Sequence, residues 1–280
     1  MHWGHSTTTI GFAPVRAVVV SDIDGTLCVS GTGEPNPHDM VVVDSWRGGW
    51  SGTTKRGYLA WTRMSQIDGL IPVSARRVEQ FIRMEWPGVK PRLAVLLNGA
   101  TILVDGRVDQ AWTQEVIRTG GRLGWNRTAA QKELAAIVPR GRTLNVQPGL
   151  FAQRVSQVAL NQHQQADLRA LAQRNGWVAS VQGRRGYLAP MGFGKADAVR
   201  RLVEQHGLEV RAAAGDTAMD VEMLLAAPCA VCPAGSEAHR LLSDTRTHAV
   251  AGSGAGQVAL VAEWLADRLM PTRGDEACRA

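Results

Sequence analysis

No run of apolar residues in this 280-residue chain is long enough to cross a bilayer, which takes about 20 residues. The longest, such as Leu93 to Leu97, are a fraction of that. Near the N-terminus only Ala17 to Val20 is continuously apolar, between Arg16 and Asp22. That is too short for the apolar core of a signal peptide, so the expected location is the cytoplasm, with no membrane partner. Cysteine is sparse: Cys28, Cys229, Cys232 and Cys278 cannot make a disulfide scaffold in a chain of this length. Cys229 and Cys232 have the Cys-x-x-Cys spacing. They lie on a short apolar segment that reads as a strand, where residues three apart face opposite sides, and no second pair completes a zinc site. No solenoid repeat and no His-Glu-x-x-His pattern occurs, and His2 and His5 sit at the terminus.

What is present is a globular composition, 45% hydrophobic and 20% charged. At about 150 residues per domain the length suggests two domains, or one with a large insertion. Val15 to Val20 is a β-branched run ending at Ser21-Asp22, as a buried parallel strand does. Residues 30–52, rich in Gly, Pro and Trp, read as an irregular excursion. Within it Trp46-Arg47-Gly48-Gly49-Trp50 is read as a loop, packed on the core or reaching toward a substrate. A helix over Tyr58 to Gln66, a strand over Leu70 to Val73, a helix from Ser74 to about Trp86 and a strand over Leu93 to Leu97 follow.

The pattern then changes. Thr101 to Val104 and Val108 to Trp112 flank Asp105-Gly106-Arg107, a hairpin signal. Helices over Thr128 to Ile137 and Ala166 to Gln173, an extended stretch over Leu144 to Leu160 broken at Pro148-Gly149, and a strand at Trp177 to Val181 make a small α+β unit, with Tyr187 to Ala189 leading out through Pro190. Alternation resumes with a helix over Lys195 to Gln205, a strand over Val210 to Ala214, a helix over Val221 to Ala226, a strand over Ala230 to Cys232 and a last helix over Val258 to Leu269. Gly252 to Gly256 lacks the final glycine of a dinucleotide loop and reads as a turn into that helix. The expected architecture is α/β: a Rossmann-like parallel-sheet core, residues 1–100 and 188–280, interrupted by an α+β cap over 101–187.

Two acidic clusters carry chemistry. Asp22-Ile23-Asp24-Gly25-Thr26 follows the first strand, and two carboxylates two residues apart invite a hard cation such as Mg²⁺. A calcium loop is excluded, since Leu27 and Gly33 stand where that loop needs Gly and Glu. Gly215-Asp216-Thr217-Ala218-Met219-Asp220 also follows a strand. Ligands of open parallel sheets sit at the carboxyl ends of strands, where Asp22, Ser74 and Asp216 all fall, and Lys195 opens a helix nearby.

These motifs, in this order, resemble the haloacid-dehalogenase-like superfamily of aspartate-nucleophile phosphatases. The Asp-x-Asp-Gly-Thr motif is Asp22 to Thr26, and the strand ending in Ser is Ile71-Pro72-Val73-Ser74-Ala75-Arg76. The helix-opening Lys is Gly194-Lys195-Ala196, and Gly-Asp-x-x-x-Asp is Gly215 to Asp220. A cap between the second and third motifs resembles the sugar-phosphate phosphatases and the phosphomannomutases. The resemblance implies that Asp22 attacks phosphorus and that Asp24, its pKa raised by burial, is the general acid and base. It implies that Ser74, Ala75 and Lys195 hold the phosphate, with Gly25 and Thr26 shaping the loop. Asp22, Asp216, Asp220 and the Asp24 carbonyl would hold Mg²⁺, with Asp220 orienting Lys195 or a metal-bound water. Met219 stands where many of these proteins carry Asn. A phosphomutase and a catalytically idle binding protein are the alternatives.

Residues 101–187 hold twelve basic and five acidic residues, a net +7 against +6 for the whole chain. An arginine-rich cap suits a small phosphorylated substrate with a second anionic group; a solvated surface is the bland reading. Without an aromatic-interleaved basic run, no nucleic-acid partner is expected.

Overall fold

The β-branched segment Arg16–Ser21 forms β1, with its last four residues buried. The computed structural model describes residues 16–34, 39–144, 151–182, 184–190, 194–243 and 247–270. His2, His5, Cys278 and the Pro148-Gly149 break lie outside them.

After β1 the chain does not wander as expected over residues 30–52. Strands β2 (Val29–Gly31), β3 (Met40–Trp46) and β4 (Gly49–Thr54) form an antiparallel sheet in the order β2-β4-β3. Arg47-Gly48 is its hairpin turn, with Gly48 at φ 88°. Trp46 and Trp50 lie over glycines: a Cβ built on Gly49 would sit 2.8 Å from the Trp46 ring, and one on Gly31 2.4 Å from the Trp50 ring. Tryptophan thus covers the gaps left by missing side chains, which restores a sheet that glycine content hid from the alternation pattern.

Helix α1 (Lys55–Gln66) starts at Thr54, whose hydroxyl accepts from the Gly57 N–H at 3.1 Å. It leads to β5 (Leu70–Pro72), α2 (Val78–Arg83) and β6 (Leu93–Leu96). The helix expected from Ser74 is therefore short and begins later. The Ser74 N–H donates to Val95 O (2.8 Å) and its carbonyl accepts from Asn98 N–H (3.0 Å), so lateral bonds hold Ser74 extended. Strands β7 (Thr101–Val104) and β8 (Arg107–Val108) pair antiparallel beside β6, turning at Asp105-Gly106 with φ of 50° and 75°. A parallel bridge between Val73 and Val95 joins this group to the end of β5.

The second arm expected at Val108 to Trp112 stops early, because Asp109 caps a helix instead. Its carboxylate accepts from the Trp112 N–H at 3.0 Å and α3 (Gln110–Arg122) begins. Next come α4 (Arg127–Ile137), β9 (Gly141–Leu144), β10 (Ala152–Ser156), α5 (Gln162–Asn175), β11 (Trp177–Gln182) and β12 (Arg185–Pro190). The four strands form an antiparallel sheet in the order β11-β12-β10-β9. One face packs Ala152 and Leu188 against Leu134 of α4 and Leu168 and Leu171 of α5. The other face gives Phe151, Tyr187 and Ala189 to the core cluster that holds Val95, Leu97 and Ala100.

The chain then returns through α6 (Lys195–His206), β13 (Leu208–Ala214), α7 (Val221–Ala226), β14 (Ala230–Pro233), α8 (Glu237–Leu241), β15 (His248–Val250) and α9 (Gly254–Leu269). The central sheet is wholly parallel, in the order β15-β14-β13-β1-β5. Trp61 and Met64 of α1 and Val261 and Leu265 of α9 pack on one face, and Val199 and Leu202 of α6 with Leu224 of α7 on the other. This is an α/β fold with a Rossmann-like parallel sheet. Cys229 packs with Val231 on one face of that sheet, and Cys232 with Ala230 on the other. Cys28 and Cys232 are free thiols. Among the described residues no helix is long and apolar enough to cross a membrane.

Candidate active site

Adjacent parallel strands β1, β5 and β13 end side by side, and their carboxyl ends bring Asp22, Ser74 and Asp216 to one edge of the sheet. The Asp22 N–H donates to Ala214 O across that edge at 2.9 Å. The loop after it is tight. The amides of Leu27 and Cys28 both donate to Ile23 O at 2.9 Å, and Gly25 N–H donates to Cys28 O at 2.8 Å. Gly25 has φ 93°, and a Cβ there would lie 2.3 Å from the Asp216 carboxylate. Only glycine lets the first acidic loop approach the second so closely.

Lys195 is buried at the start of α6, and its ammonium donates to Asp22 Oδ1 (2.7 Å) and to Asp220 Oδ1 (2.6 Å). The Asn98-Gly99 turn packs on this helix start: a Cβ on Gly99, at φ 97°, would meet Gly194 O at 2.2 Å. Asp220 Oδ2 accepts from Asp216 N–H (3.2 Å), Thr217 N–H (2.9 Å) and the Thr217 hydroxyl (2.8 Å). Both Asp220 oxygens are thus committed, one to Lys195 and one to its own loop. Thr26 is fully buried and its hydroxyl donates to Asp216 Oδ1 at 3.3 Å. Ser74 is buried, with its Oγ accepting from Arg76 N–H at 3.2 Å, and Ala75 beside it is half-buried. Met219 is a partly buried side chain packed on the core cluster.

Oxygens of Asp22, Asp216 and Asp220 lie within 4.8 Å of one another. Asp22 Oδ2 is buried and has no hydrogen-bond partner among the described residues. Burial raises the Asp22 pKa to about 7; Lys195 opposes that shift, and Asp220 and Asp24 reinforce it. Burial, then the charges of Asp22 and Asp220, push Asp216 well above the usual carboxylate range. Burial works against the Lys195 charge, but Asp22 and Asp220 outweigh it and hold the ammonium protonated. Hard carboxylates crowded this closely fit a divalent cation such as Mg²⁺, whose charge would relieve their mutual repulsion. The fit rests first on Asp22 and Asp216, since both Asp220 oxygens already accept hydrogen bonds.

Asp24 differs from expectation. Arg76 grips its carboxylate through Nε to Oδ2 and Nη2 to Oδ1, both at 2.7 Å. Burial acts to raise the Asp24 pKa, but the Arg76 hydrogen bonds and charge overcome it, and the group lies below its ordinary value. Arg76 is itself buried, and its Nη1 donates to Asp44 Oδ2 at 2.6 Å. Arg83 also donates to Asp44, and the Ser51 hydroxyl accepts from Arg76 at 3.0 Å. The antiparallel sheet after β1 therefore serves the site: Asp44 of β3 and Ser51 of β4 anchor the arginine that holds Asp24.

Arg76, Asp44 and Ser51 carried no role in the sequence reading. The position of Arg76 two residues after Ser74 was a usable signal. Asp44 had none, because nothing local marks an aspartate on a strand as the partner of an arginine 32 residues away.

No family model matches the chain, and no curated protein matches it. Solved structures do. The sucrose-phosphatase of Synechocystis sp. PCC6803, solved with sucrose and phosphate, is similar at 15% identity and TM-score 0.57, covering 87% of this chain and 95% of that one. The C-terminal domain of trehalose-6-phosphate phosphatase from C. albicans is similar at 13% identity and TM-score 0.54, covering 90% and 92%. A phosphatase of the haloalkanoate (HAD) enzyme superfamily from Bacteroides thetaiotaomicron is similar at 15% identity and TM-score 0.50, covering 90% and 97%. The chain has the fold of the haloacid-dehalogenase-like phosphatases.

Proposed function

We propose that the chain is a Mg²⁺-dependent phosphomonoesterase that acts on a small phosphorylated metabolite, a sugar phosphate or a close relative. The observation that carries the reading is the Asp22 carboxylate, with Oδ1 held by Lys195 at 2.7 Å and Oδ2 buried with no partner among the described residues. A carboxylate oriented through one oxygen and bare at the other is a nucleophile waiting for an electrophile. The fold shared with sucrose- and trehalose-6-phosphate phosphatases supports a phosphate ester as that electrophile.

In this reading Asp22 Oδ2 attacks phosphorus and an aspartyl-phosphate forms as the ester oxygen leaves. Lys195, already paired to Asp22, lends its charge to the phosphoryl oxygens, and Ser74 holds the same group from the end of β5. Asp24 gives a proton to the leaving oxygen and later takes one from the attacking water. Its grip by Arg76 suits the second step, which needs the ionised form; the first needs that grip to loosen as substrate enters. Asp220 orients Lys195. Asp22, Asp216 and the Asp24 carbonyl would hold Mg²⁺, which when bound offsets repulsion between the nucleophile and the anionic phosphate.

The test is phosphate release from a panel of phosphorylated metabolites, with Mg²⁺ or with EDTA, by the natural chain and by Asp22→Asn. Release that needs Mg²⁺ and disappears in Asp22→Asn is expected, and the ranking of the panel identifies the substrate class. Equal release by Asp22→Asn would remove the nucleophile. Release of no phosphate from any compound would overturn the phosphatase reading.

A further inference from the structure

The antiparallel sheet formed by β9 to β12 carries two arginines on the face that looks toward the site. Val155 of β10 lies opposite Arg185 of β12 on one side and opposite Arg142 of β9 on the other. Directly opposed residues share a face, so Arg142, Val155 and Arg185 form one row across the sheet. The next row holds Gln153, Tyr187 and Ser180. That second row shows which way the face looks. Tyr187 is buried in the core cluster with Val95 and Leu97, and the Ser180 hydroxyl donates to Glu237 of α8 at 3.0 Å.

Arg185 is exposed and stands on the same face as Tyr187, two residues along β12. The Tyr187 phenol oxygen accepts from Gln153 Nε2 at 3.0 Å and also from the Arg185 side chain. The guanidinium lies near enough to Asp24 for its charge to favour the ionised carboxylate. Yet neither Arg142 nor Arg185 is paired to a carboxylate among the described residues. Four other basic side chains of the segment are already engaged. Arg118 and Arg122 bind Glu115, Arg154 binds the carbonyls of Val138 and Pro139, and Arg169 lies 3.8 Å from Glu237. An open cavity of about 550 Å³, lined by Arg140, Gly141, Arg142, Val155 and Gln157, lies at the Arg142 end of the row. That is within the range of small-molecule sites.

We infer that Arg185, with Arg142 two strands away, binds a second anionic group on the leaving-group side of the substrate, a carboxylate or a further phosphate. The inference rests on the phosphatase reading and narrows it to phosphomonoesters whose alcohol portion is itself an anion. Two guanidiniums whose backbones stand about 10 Å apart, each on a long side chain, match the reach of a small dianionic metabolite. Both are specificity residues, since each touches the part of the substrate that does not react.

The experiment compares 3-phosphoglycerate, whose alcohol portion carries a carboxylate, with glycerol 3-phosphate, whose alcohol portion is neutral. Steady-state phosphate release is measured for the natural chain, Arg185→Ala, Arg142→Ala and the conservative Arg185→Lys. The natural chain should favour phosphoglycerate in kcat/KM by about tenfold or more, the scale of a charge-assisted hydrogen bond. Arg185→Ala should lose most of that preference, chiefly through KM, and Arg185→Lys should recover part of it. Calorimetric titration of the Asp22→Asn chain with both compounds reads the same preference without turnover. Equal affinity for the two compounds, or a preference that survives in both alanine variants, overturns the inference. Absence of phosphate release overturns the phosphatase reading separately, because the titration still reports whether the second anion is recognised.

Discussion

Arg76 and Asp24 meet as a two-pronged pair, Nε on Oδ2 and Nη2 on Oδ1, each at 2.7 Å. The pair fixes both the place and the plane of the Asp24 carboxylate. Lysine keeps the charge and loses the planar fork. Arg76→Lys should therefore lower kcat by about ten- to a hundredfold, the scale on which misplaced catalytic groups act, with a smaller change in KM. Steady-state kinetics with the best panel substrate reads this directly. A kcat equal to the natural chain's would mean that only the charge of Arg76 matters.

Lys195 neutralises Asp22 and Asp220 where water is excluded, with side chains at most 3% exposed. Lys195→Met removes one partner and leaves two carboxylates crowded together. Breaking a buried pair in this way costs about 3–5 kcal/mol. Urea denaturation should show a fall of that order, together with loss of turnover. A stable Lys195→Met chain would mean that the carboxylates take up protons at little cost.

Glu237 joins the β9 to β12 sheet to the second acidic loop. One oxygen, Oε2, accepts from the Ser180 hydroxyl and from the Ala218 N–H, each at 3.0 Å. Ser180→Ala removes the first link alone, and Glu237→Ala removes both and leaves the buried Ser180 hydroxyl and the partly buried Ala218 N–H without this acceptor. The double-mutant cycle should give a coupling of about 0.5–1.5 kcal/mol in denaturation. Glu237→Ala should also raise the Mg²⁺ concentration needed for half activity, because the loop bearing Asp216 loses its outer support. Additive stabilities with an unchanged Mg²⁺ requirement would reduce Glu237 to a surface contact.

Chelation makes a fourth prediction. If Asp22 and Asp216 bind Mg²⁺, the ion stabilises the folded chain by mass action, by about 2.7 kcal/mol at a hundredfold excess over its dissociation constant. In a chain of this size that raises Tm by roughly 5 °C. The rise should vanish with EDTA and in Asp216→Asn. A Tm indifferent to Mg²⁺ would remove the metal from the reading.

Several features were legible without tertiary structure, each for a local reason. A short apolar run that stops at a carboxylate marks the end of a buried parallel strand, and Asp22 and Asp216 both stood there. Lys195 at the head of a helix and Ser74 after a strand completed the set. The three-stranded sheet over β2 to β4 was hidden because its spacing is carried by glycines covered by tryptophans from neighbouring positions. Helix α3 was hidden because the Asp109 cap competes with a plausible strand, and the choice is made by packing of Trp112 and Val116 in the core cluster.

Sequence alone determined which residue types stand at the ends of the central strands, and with them the chemistry available there. That follows because strand periodicity and turn residues are properties of neighbours in the chain. Only the tertiary structure decided what those groups do to one another. Asp24 meets Arg76 52 residues away, Lys195 meets Asp22 across 173, and Ser180 meets Glu237 across 57. Charges interact through space over a few ångströms, so the same aspartate reads as a raised carboxylic acid or as a clamped carboxylate depending on which distant arginine the fold brings beside it.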